Sequence, residues 1–98
     1  MEKHTPHSKL HIVKQMIDAG CVRSTRTALR DAAALGMDFN DMIDVVQLLT
    51  PKDFHKSMTT YNDHKVWQDV YKTNTTHGEV YLKITVIDDV LIVSFKEL

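Results

Sequence analysis

From Ser8 to Ala19 the apolar residues fall at Leu10, Ile12, Val13, Met16 and Ile17. That spacing gathers them on one side of a helix with 3.6 residues per turn, and Gly20 supplies a left-handed stop. A second helix is expected from an N-cap at Thr25 through Ala28, Leu29, Ala32, Ala33 and Leu35 to Gly36. Asp38 can cap a third, whose stripe is Phe39, Met42, Ile43, Val46 and Leu49, with Asp41 near the positive end of its dipole. Thr50-Pro51-Lys52-Asp53 repeats the start signal and predicts one more helical turn.

The period then changes from 3.6 to 2. In Glu79–Ile87 the even positions Val80, Leu82, Ile84 and Val86 are apolar and Tyr81, Lys83 and Thr85 alternate with them, as in a half-buried strand. In Val90–Phe95 the odd positions Leu91, Val93 and Phe95 carry the apolar pattern. A two-residue turn at Asp88-Asp89 would reconcile the two parities. It sets Val86 opposite Leu91, Ile84 opposite Val93, Leu82 opposite Phe95, Tyr81 opposite Lys96 and Lys83 opposite Ser94. Asp-Asp is a poor turn, because neither residue takes positive φ freely, so a bulged or longer connection is the alternative. Upstream, Lys56–Tyr61 and Val66–Tyr71 read as shorter strands joined through Asn62-Asp63-His64, and Thr73–Gly78 as a polar loop. The expectation is an α+β fold in one domain over residues 1–98: three N-terminal helices packed on one face of an antiparallel sheet of about four strands. The other face is left for function.

Composition narrows the chemistry. Hydrophobic residues make up 43% and charged residues 26%, with three Gly and two Pro, which is the balance of a chain folded throughout. A formal net charge of -1 excludes coating of nucleic acid by bulk electrostatics, so any phosphate site must be a local patch. Lys56, Lys65, Lys72, Lys83 and Lys96 all lie in the sheet half and can form one. Cys21 is the only cysteine, which rules out an internal disulfide and a Cys-x-x-Cys pair and fits a reducing cytoplasm. No apolar run is long enough to span a membrane, and MEKHTPHSKL lacks the apolar stretch of a signal peptide.

Six histidines, at positions 4, 7, 11, 55, 64 and 77, form no tight ligand pattern, and His7 and His11 lack the HExxH context of a zinc site. Neither a bound metal nor a cofactor is expected. Val22–Leu49 could be a helix-turn-helix with Arg23, Arg26 and Arg30 on phosphates, but its recognition helix would carry Asp38, Asp41 and Asp44 against a polyanion. A helical hairpin covering the sheet accounts for it better. No G-x-S-x-G elbow or phosphate-cradling glycine loop is present. The Lys, Gln, Tyr and His residues on the strands suit metal-free RNA cleavage, in which one group takes the 2′-hydroxyl proton, cations hold the phosphate and another group protonates the leaving oxygen.

Two blocks then carry a resemblance: KSMTTYNDHKVWQDVY at 56–71 and GEVYLKITVIDDVLIVSFKE at 78–97, with looser similarity over MEKHTPHSKL and VRSTRTAL. Together they resemble the motility quorum-sensing regulator (MqsR) toxins. The resemblance implies a RelE-like fold and the toxin of a type II toxin–antitoxin pair. It implies a ribosome-independent mRNA endoribonuclease that cuts single-stranded message at GC-containing sites and so inhibits translation. It further implies an antitoxin partner that holds zinc in its N-terminal part and binds DNA through its C-terminal part. By the family's motifs, the functional positions are Lys56 in K-S-M-T-T-Y, Gln68 in W-Q-D-V-Y and Tyr81 in V-Y-L-K. Lys96, set beside Tyr81 by the hairpin register, is added as a phosphate contact, and His64 lies in the same matching block. The alternative is a non-catalytic regulatory module that binds DNA or a protein partner.

Overall fold

The computed structural model describes all 98 residues. In chain order they form β1 (Glu2–Lys3), α1 (Leu10–Asp18), β2 (Val22–Ser24), α2 (Arg26–Ala34), α3 (Phe39–Leu48), a 3₁₀ turn (Pro51–Asp53), β3 (Phe54–Thr59), β4 (Trp67–Thr75), β5 (Gly78–Ile87) and β6 (Asp89–Glu97). The caps follow the side chains that announced them. Thr25 accepts a hydrogen bond from the Ala28 amide at 3.1 Å. Asp38 and Asp41 form a reciprocal capping box, as do Thr50 and Asp53, and Gly20 and Gly36 end the first two helices with φ of +80° and +82°.

The α+β class holds, but the layout differs from four strands following three helices. The sheet has six strands in the order β1-β3-β4-β5-β6-β2, and its two outermost strands come from the helical half of the chain. β1 pairs antiparallel with β3, and β2 runs parallel to β6. The helices are therefore interleaved with strands, and the sheet is mixed. Segments of two and three residues are too short for a period-2 pattern to show, which is why hydropathy does not announce them. The supposed loop Thr73–Gly78 is mostly strand: β4 continues to Thr75, β5 starts at Gly78, and only Thr76 and His77 turn.

The β5–β6 hairpin matches the expected register over its outer half, with Tyr81 opposite Lys96, Leu82 opposite Phe95 and Lys83 opposite Ser94. Beyond a bulge the pairing slips by one, so that Ile84 meets Ile92, Val86 meets Val90 and Ile87 meets Asp89. The core face of β6 is consequently Val90, Ile92 and Phe95, not Leu91 and Val93. Two local features account for the slip. Asp88 takes the left-handed conformation (φ +65°), making the turn tighter than a two-residue Asp-Asp loop. At the skipped residue, the Thr25 hydroxyl donates to the Val93 carbonyl at 2.9 Å while the Thr25 amide donates to the Ile92 carbonyl at 3.0 Å. The N-cap of α2 thus satisfies the backbone that the bulge removes from the ladder.

All three helices lie on one face of the sheet. Val13, Ile17, Ala28, Ala32, Met42, Val46 and Leu49 join Tyr71, Val80, Leu82, Ile84, Val90, Ile92 and Phe95 in one buried cluster. The small side chains of Ala28 and Ala32, both fully buried, let α2 approach β6 closely. At the other end, the buried Asp69 ties the N-terminal segment down. Its carboxylate accepts from the His7 and Ser8 amides, each at 3.0 Å, and from the Ser57 hydroxyl at 2.6 Å. Trp67 stacks on the His7 ring beneath the Lys3 ammonium, completing that anchor. No helix is long and apolar enough to cross a membrane.

Candidate active site

Strand alternation delivers the other face of the sheet to solvent. Because Tyr71, Leu82 and Phe95 point to the helices, Lys56, Gln68, Val70, Lys72, Tyr81, Lys83, Ser94 and Lys96 point away from them. The pairings arrange these residues in cross-strand rows. Lys72, Tyr81 and Lys96 form one row; Lys56, Val70, Lys83 and Ser94 form the next; Met58 and Gln68 begin a third. Strand spacing of ~4.8 Å and a rise of ~3.3 Å per residue place the Lys56 and Tyr81 backbones about 12 Å apart, and Lys56 and Gln68 about 8 Å apart. Side chains of this length can span these separations, while the Lys56 ammonium is turned toward Glu2 on the far side of β3 from Val70.

Val70 is fully buried yet lies outside the helix-side cluster. Its row neighbours are Lys56 and Lys83, whose long aliphatic stems flank it on the open face. Tyr81 is half-buried, with the Lys83 and Lys96 ammonium groups 5.8 and 5.9 Å from its ring centroid, within the range of cation–π attraction. Four lysines thus share this face, and its carboxylates, Glu2 and Glu79, stand at its borders. A chain of net charge -1 concentrates positive charge where a polyanion could lie.

Lys56 has a partner that sequence reasoning missed. Glu2, carried by β1 opposite Met58, accepts from Lys56 Nζ at 2.7 Å. That bond, with the negative charge of Glu2 behind it, raises the Lys56 pKa above its ordinary value despite partial desolvation. Lys56 is therefore a dependable cation. Gln68 uses its backbone carbonyl to accept a long bond from Ser57 (3.4 Å), leaving its side-chain amide on the open face.

His64 is not brought into this cluster. It lies exposed in the β3–β4 connection, past the Gln68 end of the rows. His55, weighed in the sequence only as a metal ligand, lies closer to the site. It is the extra residue of a β3 bulge, since Phe54 pairs with Tyr71 and Lys56 with Val70. Desolvation, followed by repulsion from the Lys72 and Lys56 ammonium groups, lowers its pKa. Its electrostatic neighbours are thus open-face residues, and the shift favours a neutral imidazole. No hydropathy signal marks a one-residue bulge, so periodicity could not single His55 out. The six histidines do not gather with one another, with Cys21 or with carboxylates into a metal-ligand group.

This face offers fixed cations, an amide, a phenol and a neutral imidazole, a set suited to proton transfer around a phosphodiester. The model of one family, described as motility quorum-sensing regulator, toxin of MqsA, matches residues 5–97. The chain belongs to that toxin family. A curated relative, the mRNA interferase toxin MqsR of Escherichia coli (strain K12), is 60% identical over 97 residues, covering 99% of each chain. Membership of the MqsR toxins thus extends through both halves of the fold, helices and short edge strands included.

Proposed function

We propose that residues 1–98 form a single endoribonuclease domain, the toxin of a type II toxin–antitoxin pair, which cuts mRNA and inhibits translation. The near-full-length similarity to an mRNA interferase toxin supports the activity. The observation that carries the site is the convergence of Lys56, Gln68, Tyr81 and Lys96 on one solvent face, in rows fixed by strand pairing. The finer reading is a ribosome-independent, metal-independent enzyme acting on single-stranded, GC-containing sites in the cytoplasm, on a RelE-like scaffold. Its partner is an antitoxin of the MqsA kind, with zinc in one part and DNA binding in the other.

In the proposed reaction, His55 takes the proton of the 2′-hydroxyl, and the 2′-oxygen attacks phosphorus. The P–O5′ bond breaks, and the departing 5′-oxygen receives a proton from Tyr81 or Lys56. The products are a 2′,3′-cyclic phosphate and a 5′-hydroxyl. Lys56 and Lys96 stabilise the charge that builds on the phosphorane, and Gln68 orients the substrate by hydrogen bonds. Tyr81 also offers a stacking face for a base. His64 is assigned to the RNA strand as it leaves past the β3–β4 connection.

The deciding experiment is cleavage of single-stranded RNA by purified protein in EDTA, with end-group analysis. A 2′,3′-cyclic phosphate and a 5′-hydroxyl are expected; intact RNA in the presence of folded protein would overturn the enzyme reading in favour of a binding module. The pH profile tests the base. Because the His55 pKa is lowered, the acid limb should end below the ordinary histidine value of about 6.5. His55→Gln should remove that limb along with most of the rate. An unchanged limb would exclude His55.

A further inference from the structure

A second hollow lies apart from the lysine face. It is a groove of about 800 Å³ on the helix side, between the start of α1, the 3₁₀ turn and β3, within the ~300–1,000 Å³ range of small-molecule sites. Leu10, Leu49, Phe54 and the Tyr71 ring give it an apolar wall, and His4, Lys9, His11 and Lys14 line it with no carboxylate among them. Lys14 is partly engaged, donating to the Leu49 carbonyl at 2.6 Å. Tyr71 is 1% exposed, and its hydroxyl is buried without a hydrogen-bond partner. A buried hydroxyl of this kind is costly unless something completes it.

The groove meets the open face across a narrow edge. Phe54 lines it, while the next two residues, His55 and Lys56, belong to the lysine face, and only the two-residue β1 lies outside β3. His4, on the groove wall, acts electrostatically on both Glu2 and His55. A strand of RNA leaving Lys56 over this edge would bring its next unit directly to the groove.

We propose that this groove is a second nucleotide subsite, which takes one unpaired base of the substrate RNA against Phe54 and Leu10, with the adjoining phosphate held by Lys9 and His11. An apolar wall with cations at its mouth and a lone buried hydroxyl matches a flat ring that carries polar edges and an adjacent anion. Apolar ligands without charge leave the cations unused, and inorganic phosphate leaves the wall unused. The inference rests on the ribonuclease reading for its placement on the substrate path, but not for the chemistry of the groove.

Two measurements on the intact protein test it. In an NMR titration, adenosine monophosphate should shift the amides of Leu10, Phe54 and Tyr71, and inorganic phosphate should bind at least about tenfold more weakly, as expected when the apolar contact is lost. Equal binding by phosphate, or no shift in the groove, overturns the proposal. In the second measurement, Lys9→Glu and His11→Glu, both at exposed positions, are assayed on a long oligonucleotide and on one trimmed to the nucleotides beside the cleaved bond. Loss of a charge-assisted phosphate contact should lower kcat/KM on the long substrate by about tenfold, through KM. The slope of binding against salt should fall by about one, and the trimmed substrate should be cut as before. Equal losses on both substrates, or none on either, overturn the RNA placement; mononucleotide binding without an effect on cleavage would make the groove a free-nucleotide site instead. If the unaltered protein cuts neither substrate, the ribonuclease reading fails, and the titration alone decides the groove.

Discussion

On β5, Val80, Leu82 and Ile84 are buried beneath the helices, while Tyr81 and Lys83 between them stay half-exposed on the open face. The same contrast recurs on β6, where fully buried Phe95 precedes exposed Lys96. Adjacent residues thus answer to different physics: one face gains from removing apolar area from water, and the other keeps its cations solvated at the cost of some mutual repulsion. A one-residue change of register would exchange the two. The Val93 bulge performs such an exchange within β6, so that Ile92 on one side of it and Phe95 on the other both reach the core. The assignment of β6 residues to the two faces therefore depends on a backbone irregularity held by Thr25 from the helical side.

The largest expected effect breaks this contrast at its core side. Phe95→Ala should cost ~3–5 kcal/mol, as large-to-small changes in a packed core do, which is a large share of the ~5–15 kcal/mol that holds a small domain folded. Lys96→Ala, one residue on, should stay within ~0.5 kcal/mol of the parent. Urea denaturation with an unchanged m-value measures both. Comparable losses at the two positions would mean that the faces are not energetically separate.

Next in size are the open-face substitutions. Lys56→Ala should lower kcat by about 10²–10³-fold, the usual cost of a group that stabilises transition-state charge, with no change in the urea midpoint. Gln68→Ala and Tyr81→Ala should also reduce cleavage while the fold persists. Cleavage that survives all three changes would remove the proposed site from this face.

Much of this contrast is legible in the sequence because alternation over a long strand is a strong signal. Val80 through Ile84 reveal which residues face the core, whereas the Tyr81–Lys96 pairing agrees with a two-residue turn only because the tighter turn at Asp88 and the one-residue bulge at Val93 cancel. The capping residues Thr25, Asp38 and Thr50 are equally legible, since each acts on amides within a few residues of itself. What escapes is non-local or too short to have a period. β1 and β2 owe their conformation to partners about 55 and 68 residues away in sequence. The Val93 and His55 bulges each shift parity by one residue, and a bond such as Lys56–Glu2 exists only once β1 is docked. Asp69 shows the same limit from the other side: a carboxylate in a strand reads as exposed until the His7 and Ser8 amides arrive to satisfy it.

The Glu2–Lys56 pair offers a gentler way to sharpen the comparison. Glu2 occupies the Lys56 ammonium, so a phosphate bound there as proposed would have to exchange one anion for another. Glu2→Gln should strengthen RNA binding only a few-fold, because exposed ion pairs are weak, and should leave stability unchanged. A loss of binding would show instead that Glu2 positions Lys56.

The smallest effect at neutral pH, and the most selective, concerns the tyrosine buried on the helix face. Burial, aided by the negative charges of Asp69 and Asp53, pushes the Tyr71 pKa up to about 12, whereas an unfolded tyrosine titrates near 10. Between about pH 10 and 12 the unfolded chain has lost this proton and the folded chain keeps it, so the native state binds more protons and stability falls as pH rises. The stabilising contribution is complete below pH ~10 and disappears through the folded value. Tyr71→Phe cannot ionise and removes only a hydroxyl that has no partner in the free protein. Its stability should equal or slightly exceed the parent's at pH 7, because the lost hydroxyl was unsatisfied, and exceed it by a growing margin above about pH 10. If Tyr71→Phe gains no margin over the parent at high pH, Tyr71 is not the buried phenol of the helix face, and the separation of the sheet into a dry side and a wet side fails at β4.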